Sequence, residues 1–124
     1  MNKLQIYLDF ARENGIPLSS INPGSNEIAL EYENALLAIE ILKDNKVAIL
    51  GGDILTFETN VLIYAYRLWG DQYQYLNWYC DRNKDEEENE YLARSYSVAI
   101  FSINNANEIS KRYGNKCYVV IVAS

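Results

Sequence analysis

The run Cys117-Tyr118-Val119-Val120-Ile121-Val122 limits the possible folds of this chain more than any other stretch. Its consecutive β-branched residues favour extended backbone, and it offers no polar position with which to face water. A strand of this kind is covered on both faces, so it sits centrally in a sheet. The rest of the chain must therefore supply neighbouring strands on its edges and layers above and below it.

The remaining elements follow from periodicity. Leu4, Tyr7, Leu8 and Ala11 recur at helical spacing, and Gly15 followed by Pro17 is a stop, which predicts a helix over 3–14. Residues 18–26 are a loop rich in turn formers, and Glu27–Leu30 reads as a short edge strand or an extended lead-in. Leu36, Ile39 and Leu42, flanked by Leu37 and Ile41, give a wide apolar stripe over 32–43, the pattern of a helix packed on a sheet. Val47–Leu50 reads as a buried strand ending at Gly51-Gly52. Residues 54–58 and 61–68 read as a hairpin around Thr59-Asn60. Alternation of Tyr73, Tyr75, Asn77 and Tyr79 with Gln74, Leu76, Trp78 and Cys80 predicts another strand.

Asp85 is the expected N-cap of a helix opened by Glu86, Glu87 and Glu88, whose charges suit the helix dipole. An unbroken helix over 86–113 would be about 42 Å long. That is long for a domain with a radius of gyration of about 14 Å, so a break is expected near Asn104-Asn105, before a stop at Gly114. The order of elements predicts a single α+β domain over 1–124. Its sheet would be mixed or mostly antiparallel, of about four to five strands, with helices packed on it.

Composition narrows the chemistry. There is no histidine among the 124 residues, and Cys80 and Cys117 stand in no metal-ligand spacing. The expectation is two free, buried thiols in a reducing cytoplasm, since a disulfide needs backbones within about 7 Å. The N-terminal segment lacks the continuous apolar core and small-residue cleavage site of a signal peptide. No run reaches the ~20 apolar residues that span a bilayer. The net charge is −6, and residues 71–90 hold seven acids against two bases. Nucleic acid, which requires a basic surface, is disfavoured as a partner, and a basic protein is favoured.

Two strings stand out: Leu50-Gly51-Gly52-Asp53 and Asn77-Trp78-Tyr79-Cys80-Asp81-Arg82. The glycines suggest a tight turn at positive φ, with Asp53 bonded to local backbone; the alternative is a carboxylate exposed at a strand end. Asp53, Asp81, Asp85 and the glutamates match no calcium loop. Without a histidine base, and with only Arg82 near Cys80 in sequence, nucleophilic catalysis is disfavoured and no cofactor or metal is expected. Eleven tyrosines, six of them from Tyr64 to Tyr91, exceed what a core of this size needs. Exposed tyrosine and tryptophan are the usual material of binding hot spots. The expected partner-binding face is Tyr73, Tyr75, Trp78, Tyr79, Asp81, Glu86, Glu87 and Glu88.

In this order, Asn26–Leu30, Ala35–Ile39, the Gly51-Gly52-Asp53 string, Asn77–Asp81, then Tyr91, Arg94 and Ser95 and the closing strand resemble the immunity protein 40 family of bacterial polymorphic-toxin systems. The resemblance covers about residues 26–122. It implies a cytoplasmic protein that binds and neutralises the C-terminal effector domain of a toxin, without chemistry of its own. Other readings are a non-catalytic adaptor for another basic protein and a small hydrolase using Asp53 and Asp81 with a metal.

Overall fold

The computed structural model describes residues 3–20 and 22–124. Helix α1 (Lys3–Asn14) leads into the two-residue strand β1 (Ile16–Pro17), a 3-10 turn and strand β2 (Ile28–Glu31). Helix α2 (Tyr32–Asp44) buries Ala35, Ala38, Ile39 and Leu42, and strand β3 (Ile49–Glu58) follows. Thr59 and Asn60, both at positive φ (49° and 66°), turn the chain tightly into β4 (Val61–Tyr64). The short helix α3 (Ala65–Trp69) and a 3-10 segment (Asp71–Leu76) lead to β5 (Trp78–Tyr79). Helix α4 (Glu88–Arg112) and strand β6 (Tyr118–Ala123) complete the fold.

The six strands form one sheet in the order β1-β2-β6-β3-β4, with β5 also paired to β3, and every pairing is antiparallel. This is an α+β fold. The closing strand is central, as expected, with β2 on one edge and β3 on the other. Its side chains divide two cores. Val119 and Ile121 join Leu30, Ile54 and residues from all four helices. Tyr118 and Val120 join Ala29, Leu55 and Leu62 on the opposite face, where Ile16 and Leu18 are the other apolar cover. The helices thus occupy one face of the sheet and leave much of the other open.

Four expectations are corrected. Gly51-Gly52 is no turn: β3 continues through it, with a register shift against β6 between Ile49 and Gly51, and neither glycine has positive φ. The glycines are needed for close approach instead. A Cβ on Gly51 would lie 2.3 Å from the Trp78 carbonyl oxygen, and one on Gly52 would lie 2.3 Å from the Trp78 ring. The hairpin's second arm ends at Tyr64, because Ala65 and Trp69, one helical turn apart, are buried together in α3. Of the strand expected over 73–80, only Trp78–Tyr79 is extended. Tyr73 and Leu76, three residues apart, turn inward from a 3-10 segment.

Lastly, α4 begins after Glu87 rather than Asp85 and runs 25 residues without a break at Asn104-Asn105. Its length of about 38 Å is supported by an apolar stripe from Tyr91 through Ala99 and Ile103 to Ile109. Mid-helix asparagines cost only tenths of a kcal/mol, far less than breaking that stripe.

Candidate protein-binding site

The two distinctive strings meet in space. Tyr79 pairs with Gly51 and Trp78 with Gly52, the Cys80 N–H donates to the Leu50 carbonyl at 2.8 Å, and the Asn77 side-chain oxygen accepts the Ile54 N–H at 2.8 Å. Strand alternation then sends neighbouring side chains to opposite sides. Trp78 is 7% exposed and Cys80 is buried, whereas Tyr79 is 86% exposed. Among the described residues, the Trp78 indole nitrogen is the one buried side-chain nitrogen or oxygen without a hydrogen-bond partner.

The opening of α4 fastens this strand from behind. The Tyr91 hydroxyl donates to the Cys80 carbonyl at 2.7 Å. Arg94 donates to the Cys80 sulfur at 3.3 Å, to the Asp81 carbonyl, and to both oxygens of Glu86 at 2.7 and 2.8 Å. Arg94, with the Asn83 N–H behind it, holds the Glu86 carboxyl down at about 2, while the pairing raises the Arg94 pKa still further. Ser95 accepts the Ile49 N–H at 3.2 Å and donates to the Leu92 carbonyl at 2.8 Å. Burial pushes the Cys80 thiol up, against the pull of Arg94, and pushes Cys117 up to about 12; both cysteines are free.

On the open face, Leu50, Gly51, Asp53, Tyr79, Asp81 and Val122 line a cleft of about 350 Å³. A second cleft of about 400 Å³ runs past Leu18, Glu27, Leu55, Tyr64 and Arg67. A third, of about 200 Å³, touches Glu27 and Val122. Glu27 borders the second and third clefts and Val122 the first and third, but the third is walled mainly by Tyr7, Leu8 and Ala11 of α1 on the helix-covered side. Asp53 is half-buried, and its carboxyl is raised by that burial and by the charge of Glu27. The Asp53 and Asp81 carboxylates have no hydrogen bond or ion pair among the described residues, while Arg94 is committed to Glu86. No three His, Cys, Asp or Glu side chains among the described residues come together as a metal site.

The eight residues expected on one face are therefore distributed. Tyr79 and Asp81 reach the open cleft, and Trp78 lies beneath it in the core. Glu86 is an internal brace, Glu87 forms a capping box with Glu90, and Glu88 is exposed at the start of α4. Tyr73 and Tyr75, the latter 60% exposed, lie elsewhere. They cluster with Trp69 and Tyr113, whose rings stack at 5.6 Å, and the Tyr113 hydroxyl donates to that of Tyr73 at 3.1 Å. Tyr113 and Tyr91 are about 33 Å apart along α4, so the aromatic and acidic halves sit toward opposite ends of that helix. Glu27, Tyr64 and Val122 escape a reading of sequence because their proximity comes from pairing across distant strands.

The family model described as immunity protein 40 matches residues 17–123. The chain belongs to the immunity protein 40 family. The match reaches further toward the N-terminus than the motifs quoted above and leaves α1 outside. Neither a curated protein nor a solved structure matches the chain. No described helix is long and apolar enough to cross a membrane.

Proposed function

We propose that this protein binds a cognate toxin's C-terminal effector domain in the cytoplasm and neutralises it by occupation, without chemistry of its own. The contact surface we assign is centred on Tyr79 and Asp81, with Glu87 and Glu88 beside it and the Tyr73–Tyr75 cluster as a separate outlying contact. Trp78 and Glu86 serve that surface from below, by filling and by bracing. The observation that carries the reading is Tyr79, 86% exposed on a strand anchored by Tyr91 and Arg94. A rigid aromatic presented to solvent loses little entropy on binding, as hot-spot residues require. A basic toxin surface would complement the carboxylates around it.

The test is co-expression with the toxin effector domain encoded beside this protein's gene, scoring survival and co-purification. The wild-type protein should rescue growth and form a stable complex. Tyr79→Ala should fold normally and lose about 2 kcal/mol of binding, roughly thirtyfold in Kd. Toxicity that persists in the presence of folded protein would reject the reading.

A further inference from the structure

We propose that the open face of the sheet is built to receive one arginine side chain of the partner, with Asp53 as its central counter-charge between Tyr79, Asp81 and Glu27. This rests on the binding role proposed above and specifies the chemistry that the partner must bring. Asp53 projects from β3 at the level of Val120, onto the sheet face that carries no helix. Val122 and Leu50, both partly exposed, share its cleft with Tyr79 and Asp81, and Glu27 is the acid whose charge reaches it. Gly51, buried against β5, lines the Tyr79 side of the cleft, where a larger residue would collide with the Trp78 carbonyl.

Three features make the occupant cationic, planar and long-stemmed. Burial and a neighbouring acid disfavour the charge on Asp53, and no basic side chain among the described residues pairs with it. An unpaired, half-buried carboxylate gains most from a cation that is itself cheap to desolvate, and guanidinium is more weakly hydrated than ammonium. A guanidinium can also lie on an aromatic face while donating in its plane to carboxylates, a combination that Tyr79 with Asp53 or Asp81 offers. Arg67 does not fill this place, because it lies over the Tyr64 ring at 5.8 Å, bordering the neighbouring cleft.

The site carries a cost for the free protein, and that cost separates a binding role from a structural one. The ionised Asp53 is disfavoured in the fold. Its stabilising protonated form is complete below its ordinary pKa of 3.8, and that contribution is lost as pH rises through the raised folded value. Asp53→Asn should therefore raise the melting temperature near pH 7, with the gain shrinking below about pH 4, while weakening partner binding. A residue kept only for stability would not behave in this way.

The experiment titrates the 15N-labelled protein with acetyl-Gly-Arg-Gly-amide, and in parallel with its lysine and citrulline analogues, following backbone amide shifts. The arginine peptide should perturb Gly51, Gly52, Asp53, Tyr79 and Val122, the lysine peptide should do so more weakly, and the neutral citrulline peptide should have no effect. Asp53→Asn should weaken the arginine response at least tenfold, and Tyr79→Ala should weaken it too. Glu40→Gln, the same charge change on the outer side of α2, should leave it intact. Shifts confined to residues 85–90, equal shifts with citrulline, or an unaltered response in Asp53→Asn would overturn the proposal. The same variants are then tested against the toxin domain. If wild type and Asp53→Asn bind it equally, the arginine proposal falls and the neutralising role stands. If the domain does not bind wild type but the peptide response holds, the toxin reading falls and the arginine site stands.

Discussion

Replacing Gly52 by alanine would set a methyl group 2.3 Å from the Trp78 ring and 2.6 Å from the Val120 carbonyl oxygen. The backbone on one side cannot yield, so β5 must move away from β3. The expected cost is about 1–3 kcal/mol, as for other overpacked sites, and urea denaturation measures it. Trp78→Ala should cost about 3–5 kcal/mol by emptying the space the ring fills. Wild-type midpoints for both variants would mean that the ring does not hold β5 in place. In the sequence Trp78 and Tyr79 are equivalent candidates for an exposed aromatic. Alternation says that they face opposite ways, but not which way is out. That phase is set by the helices behind β3, through Tyr91 and Arg94, and no local signal encodes it.

At the scale of elements, the Glu86–Arg94 pair joins the loop after β5 to the first turns of α4. Glu86 titrates near 2 in the fold, against an ordinary value of 4.5, because Arg94 and the Asn83 N–H favour its charged form. The lowered value sets the sign. The stabilisation is full above about pH 4.5 and is lost as pH falls toward 2. Thermal unfolding followed between about pH 6 and pH 2 should show a steeper acid decline for wild type than for Glu86→Gln. Parallel curves would assign no stabilising role to the pair. Helices α1 and α2 and the Thr59-Asn60 turn are legible from spacing and turn chemistry alone. The segment 65–76 is not. Alternating aromatics suit a strand, yet burial at positions 65, 69, 73 and 76 follows helical steps of three and four. Only packing against the sheet selects between the two patterns.

For the molecule as a whole, the net charge of −6 acts at a distance and the aromatic contacts at close range. Raising salt from about 50 to 500 mM shortens the Debye length from roughly 14 to 4 Å. The association rate with a basic toxin domain should then fall by about tenfold or more, with dissociation nearly unchanged. Stopped-flow kinetics would show this, and a salt effect confined to dissociation would remove the case for steering. The α+β class and the central place of β6 were readable in apolar runs. The acidic stretch 71–90 was readable as a charge excess but not as a surface. Folding turns Glu86 inward and parts the tyrosines of the 3-10 segment from the carboxylates near α4's start.

The position of β6 imposes an order in time. Until Tyr118–Ala123 arrives, β2 has only β1 beside it, and β3 only β4 and β5. Ala29 pairs with Val120, and Asp53 with the other edge of the same residue, so both joins wait for the last strand of the domain to be made. At about 5–20 residues per second on the ribosome, the chain spends seconds with its sheet in two unjoined pieces. A growing chain of this domain therefore lacks the joined sheet face that carries Glu27, Asp53 and Tyr79 together. Under the neutralising role proposed above, only finished copies protect, and a cell that relies on them needs a stock made in advance.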